Sequence, residues 1–182
     1  MANWLHKTTL EYRTSSDPPL SEQANWIRNP TLPAGVDSWV DVIVDGDTVR
    51  APNEAELAVQ VANKLAAAKV AKIAAIDEKT ASLIENGSVR INGEDLSTRA
   101  TQQISLLGIK AAVDAGIASF PRSLSATDGS TYVCQNQADF VRISGLVLGF
   151  VESRKASGRA LRAQVLACTS LAEVAAIADG RA

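Results

Sequence analysis

Apolar residues recur along the chain with two different periods, and the changes of period mark the elements. From Asn53 to about Asn86 the step is three or four residues. Val59, Ala62, Ala66, Val70, Ile73 and Ile84 share one stripe, interrupted by Asp77 and Thr80. That spacing predicts one amphipathic helix. Asn53 stands three residues before Glu56 in a capping pattern with Pro52 just ahead, and Gly87 sits where a terminator is expected. At about 1.5 Å per residue the helix would extend roughly 50 Å. It reads as a spine between two lobes or as one strand of an oligomeric bundle, although the stripe is Ala-rich for a coiled coil. The pattern leaves open whether the helix breaks near Asp77.

Short β-branched runs flank turn pairs at three places. Ser38 to Val44, Asp45-Gly46 and Asp47 to Arg50 form one such pattern. Val89 to Ile91, Asn92-Gly93 and Glu94 to Leu96 form the second; Leu124 to Thr127, Asp128-Gly129 and Ser130 to Val133 form the third. Each reads as a β-hairpin, with Asn-Gly the strongest two-residue turn signal. Between the second and third, Ser97 can cap a helix running to about Ala115, with Ile104, Leu107 and Ala111 on its apolar face and Gly116 as terminator. After the third, Asn136 can cap a helix to about Lys155 carrying Phe140, Ile143, Val147 and Phe150. Leu161, Val165 and Leu166 predict a shorter helix after Gly158. Ser170 and Glu173 then make a capping box for a last helix with Val174 and Ile177 apolar.

Residues 1–36 follow neither period. Pro18, Pro19, Pro30 and Pro33 fall here among Ser, Thr and Asn, which argues against helix. Yet Trp4, Tyr12 and Trp26 are present, with Trp39 just beyond, and a disordered tail is normally poor in aromatics. An ordered, extended arm is expected, with its rings buried either on the chain's own body or on a neighbouring subunit. In the second case Trp4, Tyr12, Trp26, Ile27 and Trp39 are the candidate protein-interaction residues, because Trp anchors tend to dominate binding energy. The expected fold is α+β and mainly helical: an extended N-terminal arm (1–36), a β-hairpin (37–52), a long helix (53–86) and a C-terminal helical domain with two hairpins (87–182).

Composition narrows the function classes. The 182 residues are 46% hydrophobic and 21% charged, with 18 basic against 20 acidic side chains and a net charge of −2. That balance argues against a broad phosphate-binding surface, and nucleic acid is not an expected partner. Lys64, Lys69, Lys72 and Lys79 occupy several sides of the long helix, as a solvated surface would. Arg154, Lys155, Arg159 and Arg162 form a second basic cluster that could meet phosphate or an acidic neighbour. No apolar run approaches the roughly 18 residues of a membrane span, and the first residues lack the apolar core of a secretory signal.

Candidate chemistry is sparse. His6 is the single histidine and lies in the N-terminal arm, a poor place for the rigid positioning that catalysis requires. Cys134 and Cys168 lack metal-ligand spacing and read as free thiols, Cys134 as a small core residue. The acids from Asp37 to Glu56 lack the DxDxDG spacing of a calcium loop and read as a solvated hairpin edge. No phosphate-cradling or zinc-hydrolase motif occurs. No catalytic residue, cofactor or metal is nominated, and the chain is expected not to be an enzyme.

Two stretches carry a resemblance. Ile91-Asn92-Gly93-Glu94-Asp95-Leu96-Ser97-Thr98, Gln102-Gln103-Ile104-Ser105, Phe120-Pro121, Thr127-Asp128-Gly129-Ser130-Thr131-Tyr132, Ala138-Asp139-Phe140 and the closing Leu161-Arg162 to Ser170-Leu171-Ala172-Glu173-Val174 stand in an order that resembles a domain of unknown function of tailed-bacteriophage structural proteins, found near tail-fibre genes. Trp4-Leu5-His6-Lys7-Thr8-Thr9 and Asn25-Trp26-Ile27-Arg28-Asn29-Pro30 resemble a short module that precedes such domains. The resemblance implies a virion component made in the host bacterial cytoplasm: a tail or fibre-attachment adaptor or a decoration subunit. Its implied partners are other virion proteins of tail, fibre or capsid, and a homo-oligomer, such as a trimer, would suit fibre attachment. The alternative it allows is a tail-fibre assembly chaperone absent from the finished particle. It carries over no catalytic residues.

Overall fold

The computed structural model describes residues 2–14 and 17–182. The fold is α+β and mainly helical. The chain divides into two compact units, residues 1–64 and 65–182, with the boundary inside the long helix α1 (Glu54–Glu85). This grouping differs from the four segments expected, because the first hairpin packs with the segment before it.

In the first unit the expected extended arm is instead a small antiparallel sheet. Strands β1 (Trp4–His6), β2 (Tyr12–Arg13) and β3 (Trp26–Arg28) lie in the order β2-β1-β3. The prolines that argued for an arm fall between or beyond the strands, where no ladder N–H is required. Leu10 takes a left-handed φ of 58° and donates its N–H to His6 C=O at 3.0 Å, turning the chain from β1 into β2. The register sets Leu5 opposite both Tyr12 and Ile27. Strand alternation therefore sends Leu5, Tyr12 and Ile27 to one face. There Leu5, Ile27 and Val42 form a core, with Leu32, Val36 and Trp39 packed against it.

Strands β4 (Ile43–Asp45) and β5 (Thr48–Arg50) make the first hairpin, one residue out of the expected register. Gly46, at φ 60°, takes the first central position of the turn, which is where a II′ turn needs glycine. Trp39–Asp41 is a short 3-10 turn capped by Ser38, not strand.

The second unit holds most of the helix. Strands β6 (Ser88–Ile91) and β7 (Glu94–Ser97) pair around Asn92 and Gly93, both at positive φ as a I′ turn requires. Helix α2 (Ala100–Asp114), strands β8 (Arg122–Ser125) and β9 (Thr131–Cys134), and helices α3 (Gln137–Ala167) and α4 (Leu171–Ala176) follow. An isolated bridge from Leu96 to Ala126 joins the two hairpins. Ile91, Leu96, Leu106, Leu124, Cys134, Phe140, Ile143 and Val147 lie together in the core.

Three readings of this unit change. Helix α2 is rotated: Gln102 and Leu106 are buried, whereas Ile104 and Leu107 are 69% and 57% exposed. Helix α3 runs unbroken through Gly158, whose added Cβ would stand 2.6 Å from Thr80 Oγ1, so this glycine permits close packing on α1 instead of ending a helix. Gly87 follows the end of α1 as expected and is also tightly packed; a Cβ there would meet Leu83 C=O, Phe150 and Thr98 at 2.5–2.8 Å. Ser97 does not cap α2: it ends β7, and the cap position falls on Arg99 with no side-chain cap bond, whereas the two later caps form as expected. Asn136 accepts from Asp139 N–H at 3.0 Å, and Ser170 and Glu173 complete a capping box. The long helix is continuous past Asp77.

The start of α1 is also capped as the sequence predicts. Asn53 Oδ1 accepts from Glu56 N–H at 2.9 Å, and Glu56 Oε2 accepts from Asn53 N–H at 2.8 Å. Arg50 donates to both Glu56 oxygens at 2.7 Å. These bonds, Arg50's first and then the Asn53 N–H, hold the Glu56 carboxyl down to about 2, below its ordinary 4.5. A depressed folded-state value stabilises above the unfolded value and is lost as pH falls through the folded one. The stability gap between wild type and Glu56→Gln is therefore expected to be full above pH 4.5 and to close toward pH 2. Thermal unfolding midpoints across that range check it, and a constant gap contradicts it.

Candidate protein-interaction site

The five residues nominated from sequence all lie in the first unit, divided between the two faces of the sheet. Ile27 and the half-buried Tyr12 face the core, where Tyr12 stacks on Trp39 with ring centroids 4.9 Å apart and planes 13° from parallel. Trp4 and Trp26 lie on the opposite face, and both are buried, at 6% and 5% exposure. The register explains how. Trp4 pairs with Arg13 and Arg28, and His6 pairs with Trp26, so these side chains project to one side.

Arginines cover the indoles. The Arg13 guanidinium sits 4.6 Å from the Trp26 ring centre and the Arg28 guanidinium 5.9 Å from that of Trp4. Such contacts contribute about 0.5–2 kcal/mol each. The His6 ring meets Trp26 edge-on at 4.8 Å, while its Nδ1 accepts from Thr8 and Thr9 N–H. Trp4 Nε1–H donates to Asp17 Oδ1 at 2.8 Å. Glu11 holds Arg13 in place through a 2.8 Å ion pair.

The rings are thus part of this unit's own packing. That decides between the two readings of the aromatic segment in favour of the chain's own body. An indole buries roughly 150–250 Å², on the order of 4–6 kcal/mol at about 25 cal/mol per Å². A small three-stranded sheet cannot release that to let a ring anchor elsewhere. The sequence signal for this arrangement was present in the shared parity of Trp4 with His6 and of Trp26 with Arg28, but the pairing of the two segments was not visible.

A second constellation, which sequence reasoning missed, lies in the other unit. Tyr132 hydroxyl is 3.2 Å from each Asp139 carboxylate oxygen and accepts from Asn92 Nδ2 at 3.2 Å and from Arg142 at 3.4 Å. Arg142 also donates to Asp139 at 2.8 Å. Burial pushes the Asp139 carboxyl up, but hydrogen bonds from Arg142, Gln135 N–H and Tyr132 outweigh it and leave the group below its ordinary value. The nearby Cys134 thiol is fully buried and pushed up to about 11, by burial first and then by Asp139. A protonated, enclosed thiol is no nucleophile at neutral pH. These groups clamp the β6–β7 turn and β9 onto the start of α3.

The basic cluster is internally paired. Lys155 meets Glu152 at 3.2 Å, Arg162 meets Asp77 at 3.5 Å, and Arg154 lies over Phe150. Among the described residues no group of three His, Cys, Asp or Glu side chains could hold a metal ion, and no helix is long and apolar enough to cross a membrane. Comparisons with protein-family models, curated proteins and solved structures found no match.

Two outcomes are expected. Trp4→Ala should cost the first unit about 3–5 kcal/mol, as large-to-small aromatic substitutions in cores do. Loss of shift dispersion for the amides of residues 3–6 and 26–28 in an NMR spectrum would register it, whereas an unperturbed spectrum would place the ring outside the packing. The Cys134 thiol should react with a soluble disulfide reagent at pH 8 only as fast as the second unit opens, and the rate should rise steeply with denaturant. Prompt reaction in buffer would contradict its burial.

Proposed function

We propose that this chain is a structural protein of a tailed-bacteriophage particle, a tail or fibre-attachment adaptor or decoration subunit that works by contact and not by turnover. The observation that carries the reading is the conjunction of the two N-terminal segments with phage-module resemblance. Trp4 to Thr9 and Asn25 to Pro30 contribute the neighbouring strands β1 and β3 of one small sheet. Segments twenty residues apart in sequence thus act as one structural unit, which is what a portable attachment module requires. The indoles support that module from inside; the contact surfaces are its exposed edge and the apolar side chains that remain outside, among them Ile104, Leu107 and Ile117 of the second unit.

The alternative, an assembly chaperone for tail fibres, shares every contact feature and differs in where the chain ends up. Quantitative mass spectrometry of purified particles tests the proposal. An integral copy number relative to the major tail protein is expected. Presence in the infected cell together with absence from particles would favour the chaperone, and absence from both would remove the phage assignment.

A further inference from the structure

Strand β3 is an edge. Its ladder to β1 uses the main chain on alternate residues: Asn25 C=O accepts from Lys7 N–H at 2.9 Å, Ile27 faces Leu5, and Asn29 N–H donates to Asn3 C=O at 2.6 Å. The peptide groups of Trp26 and Arg28 therefore point the other way. Trp26 N–H is taken by Gln23 C=O in the preceding turn. Trp26 C=O and both main-chain groups of Arg28 have no protein partner among the described residues.

A groove of about 490 Å³ runs beside this edge, lined by Lys7, Gln23, Trp26, Arg28 and Asp47 among others. Its chemistry is donor-rich. Lys7 is already engaged, by Asp47 at 2.5 Å and by Ala24 C=O at 2.6 Å. The Arg28 guanidinium faces the Trp4 ring and meets no carboxylate among the described residues. The indole Nε1–H of Trp26 is buried with no acceptor, and leaving such a donor unpaired costs about 1–3 kcal/mol. Three donors without partners thus stand along three residues of open edge: Arg28 N–H, the Arg28 guanidinium and Trp26 Nε1–H.

We propose that the open edge of β3 binds an extended segment of another protein carrying a carboxylate side chain, which adds a fourth strand to the sheet. One residue of the segment lies opposite Arg28 and exchanges both main-chain hydrogen bonds with it. The residue two positions on donates its N–H to Trp26 C=O. In an antiparallel pair the side chain opposite Arg28 falls on the same face as Arg28 and Trp26. A carboxylate there meets the guanidinium and, with a small rotation of the indole, the Nε1–H. A free anion would use the side chains but leave the peptide groups unpaired; a helix would offer the edge no ladder. Binding a strand at this edge is independent of whether the chain ends in a virion.

The probe is the peptide acetyl-Thr-Val-Asp-Val-Thr-amide, titrated into the isotope-labelled full chain and followed by NMR. The Trp26 indole and Arg28 main-chain resonances are expected to move together, and a control peptide with Asn for Asp should bind about tenfold more weakly, as the loss of one charge-assisted contact predicts. Arg28→Pro removes the outward N–H and the guanidinium together and should weaken the Asp peptide by more than that factor. Should that variant disturb the sheet, Arg28→Gln tests the charge alone and should bring the Asp peptide down to the level of the control. The proposal is overturned if neither resonance moves at millimolar peptide or if the two peptides bind equally. It is also overturned if both resonances shift on dilution of the chain alone, since a second copy would then occupy the edge.

Discussion

The pairing of Leu5 with Ile27 is the contact on which the first unit depends. It joins segments twenty residues apart and fixes which side chains face inward. With Leu5 and Ile27 committed to the core beside Val42, alternation leaves Trp4, His6, Trp26 and Arg28 on the other face with no choice of direction. That second face would expose two indoles to water were it not closed by Arg13 and Arg28, so the unit has an apolar core on one side and a layer of cation-covered rings on the other. A slip of one residue would bury the charged side and expose the aliphatic one. The register is therefore strongly specified despite strands only two or three residues long.

Much of the second unit could be read from the chain, because its signals are local. Asn92-Gly93, Asn136 with Asp139, and Ser170 with Glu173 each dictate a turn or cap through hydrogen bonds within a few residues, and each is found in place. The long helix likewise followed from its length and the Asn53–Glu56 cap, but the nominated stripe is not its packed face: Val59 and Val70 are exposed and Ile76, outside the stripe, is buried. What misled were a glycine and the prolines judged by local propensity alone. Gly158 answers to a neighbour distant in sequence, Thr80, which no window contains. On α2 the apolar residues are plentiful enough to define two stripes, and tertiary packing selected Leu106 over Ile104 and Leu107. The prolines of the first segment suppress helix, as expected, but the strands fit between them.

The candidate site was half legible for the same reason. Residue type singled out Trp4, Tyr12, Trp26, Ile27 and Trp39 as candidate interaction residues, and the structure places them within the first unit's own packing. Whether those rings face outward or inward depends on long-range pairing, and the pairing turns them inward. The consequence for function is a shift of emphasis from ring anchors to the backbone they support. The first unit keeps its indoles sheltered and offers a neighbour an edge and a few donors, which under the proposed role suits contact made during assembly. The second unit shows the same economy, with its titratable cluster spent on clamping Asn92, Tyr132, Asp139 and Arg142 together.

Amide hydrogen exchange on the isolated full-length chain tests the central claim most directly. The account predicts that the N–H groups of Leu5 and Ile27 exchange slowly and with closely similar protection, since both open only when the sheet does. Exchange of both at the rate of an unstructured peptide, in a chain whose second unit remains protected, would contradict it and restore a segment that orders only on a partner.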